Sequence, residues 1–232
     1  IISPLYWRHG IGLSLGDQSA PIVERAHFSE LKTSAINVYA ESNGIISDVL
    51  IENVSGNTLA TVSGIWLENS NTVFSNITIE KAEYGVVIKH SDDDVRTSPV
   101  FTDLSISDAT WKGLWVEKID HSNYSNYVQA TINGLNISGT GGPDSSNPGN
   151  ALATIEINAT GVNISDAHLL DNEAVGLELY FVDGVSSFSD FLIENTGKVG
   201  GGAHSAGIAI RSSFFAASFD NIEVTGSPGP GI

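Results

Sequence analysis

The sequence predicts an all-β fold, a parallel β-solenoid of about eight coils, and three observations carry that prediction. A phrase of the form apolar, polar, Asp/Asn/Gly, apolar, polar, apolar recurs, as in Ile46-Ser-Asp-Val-Leu-Ile51, Phe74-Ser-Asn-Ile-Thr-Ile79 and Phe101-Thr-Asp-Leu-Ser-Ile106. A second phrase follows each copy: Gly64-Ile-Trp-Leu67, Gly85-Val-Val-Ile88 and Gly113-Leu-Trp-Val116. The two alternate at a period near 28 residues, and a fixed period of that size marks a unit that stacks on its own copies.

The first phrase, strand A, begins at Val23, Ile46, Phe74, Phe101, Ile132, Ile164, Phe188 and Phe219. Its first, fourth and sixth positions are apolar in every copy. Its third position holds Asp48, Asn76, Asp103, Gly134, Asp166, Asp190 and Asn221, and only Arg25 departs from that set. Asp, Asn and Gly share tolerance of left-handed backbone angles, so this column predicts a bend repeated in each coil.

The second phrase, strand B, is placed at Ile11, Ile36, Ile65, Val86, Leu114, Ile155, Leu177 and Ile208. Its first and third residues are apolar and the one between usually points elsewhere, which is the period of a strand with one buried face. Neither strand can bury that face alone. Parallel pairing with the copy one turn on solves the problem. A helix over 21–33, started by Pro21, competes locally, but strand spacing fits the repeat better. The long connections fall at 54–63, 139–152 and 196–206 after strand A, and at 90–99 and 118–127 after strand B. They predict a rim of loops, where binding usually resides.

The repeat predicts one continuous domain over 1–232 rather than two units. Net charge is -17 with only 10 Lys and Arg, which disfavours nucleic-acid and anionic-membrane partners. No run of apolar residues is long enough to predict membrane insertion. Cysteine is absent, so no disulfide or thiolate metal site is available; methionine is absent too, even at position 1, which suggests a processed product or fragment of a larger protein. Six Asn-x-Ser/Thr triplets, at Asn53, Asn76, Asn123, Asn136, Asn158 and Asn163, are candidate glycosylation sites.

The corner-and-strand phrases resemble the right-handed parallel β-helix repeats of the pectin-lyase-like superfamily over nearly the whole chain. That resemblance implies a right-handed parallel β-helix and an extracellular or cell-surface setting. It also implies association with polysaccharide, as in lyases, hydrolases, tailspikes, adhesins and surface-layer proteins. Fold alone does not choose among them. Lys118-Ile-Asp-His121 is similar to the Trp-Ile-Asp-His stretch of pectate lyases, with Lys in place of Trp. The acid sets of polygalacturonases are not assembled.

Alternation along strand B gives two outward columns. One runs Gly12, Asn37, Trp66, Val87, Trp115, Glu156, Glu178, Ala209; the other runs Ser14, Tyr39, Glu68, Lys89, Glu117, Asn158, Tyr180, Arg211. Glu68, Lys89 and Glu117 form a charge ladder. Trp66, Trp115 and Tyr180 are candidate sugar platforms, unless a loop folds over the indoles. Glu156 and Glu178 stack in register with Arg211 one coil further. They are candidate catalytic groups for glycosidic-bond chemistry, or a salt-bridged surface. Asp92, Asp93 and Asp94 form an acidic turn that could bind Ca²⁺, a hard cation wanting several oxygens.

Three functions follow as expectations. The first is a structural or adhesive β-helical module of a secreted or cell-surface protein, self-assembling through its β-helix ends or glycan-associated. The second is a polysaccharide lyase or glycoside hydrolase, and the third a non-catalytic carbohydrate-binding module.

Overall fold

The computed structural model describes residues 11–39, 41–56, 62–90, 97–118, 129–141, 153–158, 160–180, 185–197, 206–211 and 216–229. Sixteen strands follow one another there: β1 (Leu13–Leu15), β2 (Ile22–Ser29), β3 (Ile36–Val38), β4 (Ile45–Val54), β5 (Ser63–Glu68), β6 (Val73–Ala82), β7 (Tyr84–His90), β8 (Val100–Ser107), β9 (Lys112–Lys118), β10 (Gln129–Ser138), β11 (Ile155–Asn158), β12 (Gly161–Leu170), β13 (Leu177–Tyr180), β14 (Val185–Glu194), β15 (Ile208–Arg211) and β16 (Ala216–Thr225). Odd strands form one eight-stranded sheet and even strands the other, each in strict sequence order. All pairings are parallel. The chain is therefore an all-β parallel solenoid. The segment 21–33, where a helix competed, carries β2 instead.

The long-strand sheet has the predicted register. Val23, Ile46, Phe74, Phe101, Ile132, Ile164, Phe188 and Phe219 are successive partners. The Phe74 and Phe101 rings stack at 4.6 Å and 7°. Inward positions of both sheets merge into one buried cluster running the length of the rod. Each fully buried Ile, Leu or Phe contributes about 1.5–3 kcal/mol of transfer energy.

One register assignment is corrected. Strand B of the first coil begins at Leu13, not Ile11, because Leu13 pairs with Ile36 and Ser14 with Asn37. Ser14 therefore heads the Trp66 column, and Gly16 lies beneath Tyr39, whose ring would come within 2.4 Å of any Cβ there. A shift of two residues keeps the same face inward, so Ile11 and Leu13 satisfy the alternation equally well.

The bend column is complete, Arg25 included. Arg25, Asp48, Asn76, Asp103, Gly134, Asp166, Asp190 and Asn221 all have positive φ. Five residues on lies a second bend column: Glu30, Asn53, Lys81, Asp108, Gly139, Asp171, Asn195 and Gly226. Each long strand thus turns twice around the core. Glycines immediately before strand B serve a different purpose. A Cβ on Gly85 would lie 2.4 Å from the Gly113 carbonyl oxygen and 2.7 Å from Ile106 Cγ2. The coil can close on its own core there only without a side chain.

Turns from strand B back to strand A are lined by hydroxyls. Ser19 and Ser42 Oγ lie 3.0 Å apart, Ser70 Oγ donates to the Ser42 carbonyl, and His90 Nδ1 meets Thr97 Oγ1 at 3.1 Å. These buried polar groups are thus paired with one another and with backbone carbonyls.

Candidate functional site

The outer face of the short-strand sheet brings together most of the candidate residues. Trp66, Val87, Trp115, Glu156 and Glu178 are register partners in one column, and Glu68, Lys89, Glu117, Asn158, Tyr180 and Arg211 in the next. A third outward column, two residues before each strand B, adds Tyr84 and Lys112. Sequence reasoning missed it because Gly85 and Gly113 reset the alternation between the two columns.

Cations organise this face. Lys89 Nζ sits 4.2 Å from the Trp115 ring centre and 5.2 Å from that of Trp66, and it pairs with Glu117 at 3.1 Å. Lys112 Nζ lies 4.3 Å from the same Trp115 ring and 2.7 Å from Glu156 Oε2. Tyr84 stacks on Trp115 at 5.6 Å. Val87, outward by alternation, is wholly buried between these aromatic neighbours. Such ammonium–indole contacts contribute about 0.5–1 kcal/mol when exposed, and more as water is excluded.

Glu156 and Glu178 are direct partners, side by side on one face. Each has its own cation: Lys112 for Glu156, and Arg211, whose Nε lies 2.6 Å from Glu178 Oε1. Glu178 is buried, and its carboxyl is held above the usual carboxylate range. Desolvation is the main cause; Arg211 opposes it, Glu156 adds to it, and Lys112 again opposes. The four charges run Lys112, Glu156, Glu178, Arg211, the like pair at the centre flanked by a cation on each side. A glycosidase pair normally flanks the scissile bond. These two carboxyls instead lie in one plane of the sheet. Tyr180, next to Arg211 in register, is exposed.

The remaining candidates scatter. Asp92, Asp93, Asp94, Asn123 and the Ile-Asp-His of 119–121 lie outside the described residues. Asn53 and Asn76 occupy bend positions, and Asn76 Nδ2 donates to Asp48 Oδ1 at 2.7 Å. Asn136 and Asn163 are exposed on the long-strand sheet, where Asn163 Oδ1 accepts from Ser187 Oγ. Asn158 keeps its Oδ1 buried. On the same sheet His27 meets Glu52 at 2.6 Å and His168 meets Glu194 at 2.8 Å, two repeats of one cross-coil pair. Among the described residues no cluster of His, Cys, Asp or Glu is arranged to hold a metal ion, and no helix is long and apolar enough to cross a membrane.

Comparison with known families decides the affiliation. Residues 3–148, more than half of the chain, match the right handed beta helix region family. The chain belongs to that family. No characterised protein and no solved structure gave a significant match. As a right-handed β-helix, the molecule carries its side chains in columns, and the cation-lined face described above is one such set.

Proposed function

We propose that this β-helix is a structural or adhesive module of a secreted or cell-surface protein. The observation carrying the proposal is that the charged groups and indole rings of the outer face are engaged with one another. Both stacked carboxylates hold a cation from a neighbouring strand, and both indoles lie against an ammonium group. A sugar ring approaching Trp115 has to displace Lys89 or Lys112 before it can stack. An acidic surface with net charge -17 keeps such a rod soluble and apart from nucleic acid. The exposed Asn136 and Asn163 are where N-glycans fit best on a secreted form.

The test is turnover. Purified protein is incubated with a panel of polyuronates and neutral polysaccharides, and reducing ends and unsaturated products are followed. The expected outcome is no product above a buffer control. Product formation that disappears in Glu178→Gln would replace this reading with a polysaccharide lyase or hydrolase.

A further inference from the structure

We infer that the outer face at the start of the long strands is an ice-binding surface, an inference that rests on the adhesive reading above and gives it a ligand. Two outward columns flank the buried column of Ile46, Phe74 and Phe101. One runs Ile45, Val73, Val100, Thr131, Asn163, Ser187 in direct register. The other, two residues further along each strand, runs from Ser47 to Ser189 and holds only Ser, Thr and Asn. Ile45, Val73, Thr102, Thr131, Asn133 and Asn163 are exposed.

From β4 to β14 neither column carries a charged or aromatic side chain, in a chain whose net charge is -17. Charge resumes at the margins. Glu24 and Asp220 continue the second column in β2 and β16, and Asp48, Asp103, Asp166 and Asp190 stand at the bend that follows it.

The array is ordered in two directions. Along the rod its members repeat at about 4.8 Å, and across it the columns are about 6.6 Å apart. The Phe74 and Phe101 rings behind it are tilted by only 7°. Neighbouring strands of an ordinary sheet rotate by roughly 20–25°, so these coils carry the array forward with little twist. Polar side chains are held across coils as well. Ser165 Oγ donates to Asn133 Oδ1 at 3.2 Å, and Ser187 Oγ to Asn163 Oδ1 at 2.8 Å.

These features select the occupant. A face without charge offers nothing to a mineral lattice of ions or to lipid headgroups. One without aromatic rings offers no platform to a sugar. It presents methyl, hydroxyl and amide groups at fixed repeats. That suits a neutral solid that donates and accepts hydrogen bonds and is periodic in the same two directions. Ice is such a solid, and the two repeats of its prism face lie close to those of the columns. A fixed array binds it without the ordering cost that mobile side chains would carry. An N-glycan on Asn163 would stand within this face, so the ligand is held by the chain with Asn163 unmodified.

Unglycosylated protein from a bacterial host is tested with ice itself as the probe. The gap between melting and freezing of a single crystal is measured, together with recrystallisation in a frozen film. The expected result is a gap that widens with protein concentration and arrest of recrystallisation. Thr131→Tyr puts a bulky ring in the middle of the array and is expected to abolish the gap, whereas Thr131→Val, which keeps the branched shape, retains it. Asn136→Tyr, beyond the bend at Gly134, is expected to leave the gap unchanged. All three variants are checked for unchanged far-UV circular dichroism. Folded protein with neither gap nor arrest overturns the inference and leaves the structural reading to the turnover assay. A gap that Thr131→Tyr does not diminish, or that Asn136→Tyr diminishes equally, overturns it too, because it places the contact elsewhere. A dimer in sedimentation that Thr131→Tyr dissolves, without ice activity, overturns it by assigning the face to a second copy.

Discussion

Arg211 Nε lies 2.6 Å from Glu178 Oε1, reaching back one coil to a carboxylate that its own strand has buried. The pair explains how the sheet tolerates Glu156 and Glu178 in direct register. Like charges opposite each other destabilise a sheet, and here a cation on either side compensates.

The pH dependence of this group has a definite sign. Glu178 titrates above the usual carboxylate range in the folded chain, so the folded form takes up its proton first as pH falls. The ionised carboxyl therefore lowers stability fully above the folded pKa; the penalty fades as pH falls through that pKa and is gone below the ordinary value of about 4.3. Glu178→Gln is expected to hold or raise Tm near neutral pH, and the difference to shrink on acidification. Thermal unfolding of both proteins between about pH 4 and 7 checks it; an advantage that grows in acid contradicts the sign.

Removing the cation instead of the acid has the opposite effect. Arg211→Leu leaves a buried carboxylate with less compensation and is expected to cost about 2–3 kcal/mol near neutral pH. Urea titration measures it, and Arg211→Lys should recover part of the loss.

Lys89 is expected to matter more than a surface lysine does. Lys89→Met removes one ion pair and two ammonium–indole contacts, for a loss of about 1 kcal/mol, accompanied by a shift in tryptophan emission as the Trp66 and Trp115 faces change neighbours. An unchanged spectrum would place the ammonium elsewhere in solution.

Gly85→Ala tests the close approach before strand B. Its Cβ meets backbone, the Gly113 carbonyl oxygen, which cannot rotate away, so a loss of about 1–3 kcal/mol is expected in equilibrium unfolding. Lys81→Gly is the contrasting case. Lys81 holds φ 56° on an exposed bend, so glycine there relieves left-handed strain and should be neutral or stabilising by about 0.5–1 kcal/mol.

How much of this was legible follows from the same residues. The long-strand register could be read because Phe74, Phe101 and Phe188 share one slot and an Asx residue sits two places after each. The second bend was passed over although six of its eight positions are Asp, Asn or Gly; only Glu30 and Lys81 hold left-handed angles that their side chains do not favour. There the stacked neighbours impose the angle. The start of β1 was misplaced because Ile11 and Leu13 present the same face. Lys112 escaped notice because it lies across a glycine from the column it serves, so alternation counted from Trp115 never reaches it. The ion pairs of Lys112 and Arg211 are properties of side-chain reach, which periodicity does not encode.

The invariant register carries a consequence for the length of the molecule. Excising residues 74–100 would join Val73 to Phe101 and bring the latter onto Ile46, the same partner slot that Phe74 fills now. The molecule is in that sense graduated: its span can be edited in whole increments without redesigning the wall, and any cargo on the rim moves by one fixed step each time.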